Sequence, residues 1–455
     1  MPRSSLRFWR RLAVGCFPLL TACLAGAAEP AGATVQDLVE QNRRLQQQVQ
    51  AQQRVIDDLT AKVAEVLQAS DRHETELRGL RENAGNITSP AVAPAAGYQR
   101  EKEVRISGEV GLAFLSTGSA GSFPKATFRA DDAKIFIEAP VVRDVYFYGE
   151  LALATRETQV TYLQAGELYV DFENISGRLG GPERLLSIRA GQINTPFGEE
   201  YAVRGPLANP LISHSLSDVW GIDGGIEAYG AAGDWQYAIA VQNGSVDLLH
   251  DHNADKAVTA RLSWAPAGWL SLSASAMRTG ELKAYTDTAA GDNLSNIWFG
   301  NGFFRAIGPS ATTSTFWANL WEGDARVRWR GGQAAAAVGG VRYADNDRAA
   351  DNSRRLSYGF IEGMQDVTPD LYLAARYSEI SAPRGYPLGG WGNLGKYFFS
   401  PLLSTGLERL SLGFGYRFGP PLVVKFEFAR ESGRLLNGSP RNHEDFFGAE
   451  AALKF

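Results

Sequence analysis

The sequence predicts an all-β transmembrane barrel of about 16 antiparallel strands, preceded by an N-terminal coiled-coil helix. From residue 104 onward the chain divides into sixteen segments with apolar and polar residues in alternation, an even number, as a barrel with both chain ends on one side requires. The connections between them alternate between short turns rich in Gly and Pro and long loops. Beyond the first thirty residues no apolar run is long enough for a spanning helix. A span must then be made of strands whose backbone groups are satisfied in a closed ladder.

Composition agrees with many tight strands. The 455 residues include 49 Gly, 23 Phe, 16 Tyr and 10 Trp against two Cys and three Met, and 44% hydrophobic content is too low for a helical membrane protein. Both cysteines, Cys16 and Cys23, lie in the leader, so the barrel has no disulfide framework and no thiol site. A net charge of -5 argues against nucleic acid as a partner. No cofactor is implied.

Residues 1–27 read as a signal peptide. Arg3, Arg7, Arg10 and Arg11 precede an apolar stretch over 12–24 that is too short to act as an anchor. Two ends compete: Ala25-Gly26-Ala27 suits ordinary cleavage, and Leu20-Thr21-Ala22-Cys23 suits lipidation at Cys23. Residues 28–67 then form a periplasmic coiled coil. Val35, Asn42, Val49, Ile56 and Val63 take position a of a seven-residue repeat, and Leu38, Leu45, Gln52, Leu59 and Val66 take position d. The Gln-rich flanks leave only a narrow apolar seam, which requires partner helices. β-Branched residues at a with Leu at d lean toward a parallel dimer. Residues 68–103 turn to Pro, Ala and Gly without apolar periodicity and read as a flexible linker.

The barrel occupies 104–455. Its strands are expected at 104–115, 131–139, 142–154, 164–174, 183–192, 221–230, 233–243, 256–266, 269–279, 315–330, 333–343, 354–364, 370–380, 407–418, 421–431 and 444–455. Two faces are distinct in several of them. Leu410, Leu412, Phe414, Tyr416 and Phe418 oppose Arg409, Ser411, Gly413, Gly415 and Arg417, and Val327 and Trp329 oppose Asp324, Arg326, Arg328 and Arg330. Charged residues in line on one face of a barrel strand line a water-filled lumen. The basic lumenal wall is accordingly Arg189, Arg261, Arg326, Arg328, Arg376, Arg409, Arg417 and Lys425. Tyr169, Trp235, Trp264, Trp269, Trp329, Tyr372 and Tyr416 are candidates for the aromatic girdles. Phe455 closes the last strand, with Phe447 to Phe455 outward at every second residue and Glu450 and Lys454 inward.

The segment 193–220 is too apolar and too rich in proline for a loop in bulk water. Folded inward, it presents Glu199, Glu200, Arg204, His214 and Asp218 as a pore constriction, opposite the basic wall; acids facing bases across a gap create a transverse field that orients polar solutes. The competing placement is an external loop packed on the rim.

Gly191-Gln192, Pro196-Phe197-Gly198, the glycines at 221, 224, 225 and 230, and Asn243-Gly244 resemble the matching region of bacterial phosphate-selective porins of the O and P type. The resemblance implies an outer-membrane diffusion channel (porin) in outer-membrane lipid, with the stalk in the periplasm, the 193–220 loop in the lumen and a homotrimer rather than a dimer. The chain departs from that family where Glu150, Asp171, Asp223, Glu227 and Glu427 interrupt the basic wall, so the solute is left as small polar or anionic. Two other classes of function are compatible with a barrel. A structural envelope protein would use the coiled coil for cell-wall contact and the barrel as an anchor. An outer-membrane enzyme would need an aligned catalytic set, and neither a GxSxG nor an HExxH motif occurs. His250 and His252 with Asp247 and Asp255 on one outer loop are a weak signal for a metal site, and no metal is assigned.

Overall fold

The computed structural model describes residues 103–154, 164–244, 254–283, 297–298, 314–349, 351–390 and 403–455. The expected signal peptide, the coiled coil, all but the last residue of the linker, and His250 and His252 lie outside the described residues.

One antiparallel sheet closes on itself into a barrel of sixteen strands, with three two-residue ladders added at Leu282–Lys283, Ile297–Trp298 and Pro440–Arg441. The strands are β1 (Arg105–Thr117), β2 (Thr127–Val142), β3 (Val145–Ala154), β4 (Gln164–Phe172), β5 (Ser187–Asn194), β6 (Trp220–Ala232), β7 (Trp235–Gln242) and β8 (Ala257–Ala267). They continue as β9 (Leu270–Arg278), β10 (Thr315–Trp329), β11 (Gly332–Asp345), β12 (Arg354–Asp366), β13 (Leu371–Tyr386), β14 (Ser404–Gly419), β15 (Leu422–Leu435) and β16 (Phe446–Lys454). Each pairs with its neighbours in sequence, and β1 pairs with β16 from Glu109↔Lys454 to Thr117↔Phe446. Among the described residues no edge strand is left open, which removes the unpaired backbone that an apolar surrounding would penalise.

The alternation of connections places short turns at one end and long loops at the other. The longest turn at the short end, between β4 and β5, holds the four-residue helix Ile175–Arg178. Its cap is Asn174, whose Oδ1 accepts from the amides of Gly177 (3.3 Å) and Arg184 (2.8 Å).

Two strand boundaries differ from the alternation for identifiable reasons. β2 begins four residues earlier than expected because Asp131 is an extra, buried residue in the pairing with β1, where the register shifts opposite Gly111 and Leu112. A bulge of this kind breaks the two-residue period while the strand continues. β13 runs past Pro383 to Tyr386 because its ladder with β14 is interrupted between Ser381 and Tyr386, where the missing proline amide costs no hydrogen bond.

The outer face is apolar: Leu410, Leu412, Phe414, Tyr416 and Phe418 are all exposed, whereas Arg409 and Ser411, on the opposite face of the strand, are buried. Trp235, Trp269 and Trp329 are exposed near the short turns, and Trp235 stacks on Trp264 with ring centroids 5.7 Å apart. Tyr169 and Tyr372 do not join that girdle. Tyr169 shares the inner face with Asp171 and stacks on Tyr148, with centroids 5.0 Å apart. Tyr372 turns inward over Gly415, where a Cβ would come 2.3 Å from the ring, and donates its hydroxyl to the carbonyl of Pro210 at 3.0 Å. Both rings have polar tips that find partners inside the barrel.

Candidate functional site: the inserted loop and the lumenal wall

The segment between β5 and β6 enters the barrel. Its sequence explains the course: Pro196, Pro206 and Pro210 prevent it from adding to the sheet, while Phe197, Leu211, Ile212, Leu216 and Val219 seek burial and are almost completely shielded. Phe197, Leu216 and Val219 pack with Met277, Phe316, Leu320, Val341, Tyr343, Leu356, Tyr358, Ile380 and Leu407 of the wall. Leu211 packs with Tyr372, Ala374, Val423 and Ala452. Apolar residues on the inner wall would be misplaced in an empty aqueous channel, and the loop covers them.

Gly198 makes the entry turn. It has φ +70°, and a Cβ there would lie 2.3 Å from Oε1 of Glu322. Its amide donates to Ser275 Oγ at 3.0 Å. Gly198→Ala therefore combines a left-handed backbone costing about 1–2 kcal/mol with displacement of a buried carboxylate. Amide hydrogen exchange over 195–219 is expected to accelerate in this variant while exchange in the strands stays as in the parent; unchanged loop exchange would remove Gly198 as the determinant of the turn.

Buried polar groups then bind the loop across the lumen. Glu427 accepts from the amides of Ile212 and Ser213, both at 2.7 Å, and from the Ser213 hydroxyl at 2.5 Å. Arg376 donates to the Ser213 carbonyl (2.6 Å) and to Asn209 Oδ1 (3.0 Å). Arg409 donates to the His214 carbonyl at 3.1 Å. Lys425 donates to the carbonyls of Pro206 (2.6 Å) and Leu211 (3.0 Å). Further contacts join the Leu207 amide to Glu109 of β1 and the Leu216 amide to Ser378 of β13, each at 3.2 Å.

The opposition expected across an open constriction is, at several residues, direct contact. Glu199 Oε1 accepts from Arg326 Nε at 2.6 Å, and the Glu199 amide donates to Asp324 at 3.3 Å. Arg204 pairs with Asp218 inside the loop, and His214 Nδ1 lies 3.2 Å from the same carboxylate. Glu200 accepts from the Ser215 amide at 2.7 Å. The physical reason is burial: a carboxylate carried into the barrel by an apolar loop needs a donor at contact distance. A recess remains between loop and wall, lined in part by Glu199, Glu200, His214, Arg326, Glu362 and Arg376.

The wall cations are matched along the strand register. Arg376 lies opposite Glu362, Arg409 opposite Glu431 and Lys425 opposite Glu450, and each forms an ion pair with that residue. Arg189 lies opposite Asp171 and Glu227, 3.3 and 3.8 Å away, and is sandwiched between Tyr169 and Tyr229 at 4.8 and 4.6 Å from the ring centroids. Arg417 pairs with Asp366 at 2.8 Å over the Tyr372 ring. Arg261 donates to Ser273 Oγ at 3.3 Å, and Arg328 is half-buried on the same strand face as Arg326. Glu450 is lumenal as its alternation predicts, whereas the partners Glu362 and Glu431 and the lumenal rings Tyr148 and Tyr229 carry no sequence signal of their own. Aligning successive strands as hairpins would have put those carboxylates opposite the cations.

No family model and no curated protein matches the chain. Among solved structures it is similar to a loop L8 deletion mutant of OmpT, an outer membrane protein of Vibrio cholerae, with TM-score 0.52 and 12% identity over 78% of this chain and 99% of that one. In-vitro folded OmpT of the same organism gives TM-score 0.51 and 10% identity over 77% and 97%. What is shared is the barrel fold. The outer membrane channel DcaP of Acinetobacter baumannii gives TM-score 0.50 and 14% identity, over 79% of this chain and 100% of that chain.

Proposed function

We propose that this protein is a porin: a passive diffusion channel for small polar solutes across the bacterial outer membrane. The observation that carries this is the loop 195–219, drawn into a closed barrel with an apolar exterior and held by buried charges on the inner wall. A barrel serving only as an anchor has no use for a charged interior fitted to one inserted loop. The similarity in fold to the outer membrane channel DcaP supports the same reading.

Within it, the motif Pro196-Phe197-Gly198 argues for a relation to the phosphate-selective O and P type. Selectivity for phosphate would draw on uncompensated cations, whereas Arg189, Arg376, Arg409, Arg417 and Lys425 each have a carboxylate partner. Polar solutes, with anions among them, fit a wall of paired charges better than phosphate alone. The chain would assemble as a homotrimer, with its coiled coil over 28–67 in the periplasm behind a signal peptide. Neither cofactor nor catalytic set enters this function.

Planar-bilayer recording of the full chain tests it. Stepwise conductance with weak ion selectivity is expected in asymmetric KCl, with partial block by phosphate, succinate or a disaccharide. Folded barrels that insert without conductance steps would favour the envelope-anchor role.

A further inference from the structure

On the outer face, toward the long loops, residues in register on four neighbouring strands form a row: Arg278 on β9, Asn319 on β10, Arg342 on β11 and Arg355 on β12. All four are exposed. Arg278 is held by Asp255 at 2.6 Å. Arg342 and Arg355 stand directly opposite each other, and among the described residues neither makes an ion pair or a side-chain hydrogen bond. Like charges directly opposite on paired strands are destabilising, and an anion from outside the chain bound between this pair relieves that repulsion.

The position of the row says which anion. One step toward the short-turn end, Ala276, Trp321 and Gly340 lie in register, and beyond them Val338 and Ile361 begin the apolar exterior. Trp321 is 56% exposed at that boundary. Tryptophan at the edge of an apolar band marks the headgroup level of a membrane. Neighbouring strands are about 4.8 Å apart, so two guanidinium groups on β11 and β12 can reach one phosphate together.

We infer that Arg342 and Arg355 form a binding site for the phosphate of an anionic lipid headgroup in the outer leaflet. The site rests on the proposed outer-membrane placement with the long loops outward, and is independent of what passes through the lumen. A lipid is favoured over a soluble anion because its phosphate is held at the height of the row by its own acyl chains.

The test uses the full chain in neutral detergent, with dioleoyl phosphatidic acid as the probe and dioleoylglycerol, which lacks the phosphate, as its control. Native mass spectrometry is expected to show retained phosphatidic acid but not dioleoylglycerol, and retention weakened about thirty-fold in the R342Q/R355Q variant. Equal retention by parent and variant would overturn the site. So would displacement of the lipid by equimolar inorganic phosphate, which would make it a free-anion site, or loss of oligomers in the variant, which would make the row a contact between copies. Conductance of the same samples separates the two proposals: a silent barrel that retains phosphatidic acid removes only the channel, and a conducting barrel that does not retain it removes only the lipid site.

Discussion

Glu427→Ala is expected to release the middle of the inserted loop and to raise single-channel conductance, with the yield of folded barrel unchanged. The Glu427 carboxylate takes the Ile212 and Ser213 amides and the Ser213 hydroxyl. Its loss leaves the two amides buried without an acceptor, at about 1–3 kcal/mol for each, and leaves the Ser213 hydroxyl with only Ser411 Oγ at 3.4 Å. Moving the loop into water satisfies them, and that movement is resisted by the apolar seat of Leu211 and by the bonds from Arg376, Arg409 and Lys425. The barrel itself loses no ladder hydrogen bond, because Glu427 keeps its backbone pairing with Gly413 and Gly448. Glu427→Gln retains one acceptor oxygen and should fall between parent and alanine variant. Parent-like conductance in a folded Glu427→Ala protein would show that the loop does not set the constriction.

The barrel was legible in the sequence because its controlling signals are local. Alternation of apolar and polar residues fixes which face each residue takes, and turn chemistry fixes the connections. Leu410 through Phe418 show the outer face without reference to any other strand. What was not legible depends on two strands at once. The bulge at Asp131 is defined only by its pairing with β1, and the partners of Arg376, Arg409 and Lys425 are defined only by register with β12, β15 and β16. The loop gave away its apolar character through Phe197, Leu211 and Ile212, and so its need for burial. Its bonding to β13, β14 and β15 is long-range in the chain, and no local period encodes it. Tyr372 divides along the same line: its inward direction follows from alternation with Arg376 on its own strand, whereas the seat of its ring over Gly415, some forty residues away in sequence but opposite it in the sheet, does not.

Removal of Phe455 is expected to impair barrel assembly far more than it alters the conductance of the barrels that do assemble. The seam between β1 and β16 is the pairing most distant in sequence, so its loop-closure entropy is the largest in the sheet. At its end the Phe455 amide donates to the Gly108 carbonyl at 3.0 Å, and the Gly108 amide donates to the Phe455 carbonyl at 2.9 Å. The Phe455 ring covers Gly108 so closely that a Cβ there would come 2.3 Å from it, and the ring is otherwise 65% exposed on the apolar face. An aromatic ring laid over a cross-strand glycine shields backbone that would otherwise be bare on the outer face. Two variants separate the contributions. Phe455→Ala keeps the backbone bonds and removes the ring, while Gly108→Val keeps the ring and displaces it. If ring cover governs closure, both lower the fraction of heat-modifiable, folded barrel recovered in the membrane fraction. If the two terminal hydrogen bonds govern it, only complete removal of Phe455 does so. Parent-like recovery of the protein without Phe455 would show that the nine register pairs from Glu109↔Lys454 to Thr117↔Phe446 suffice to close the barrel.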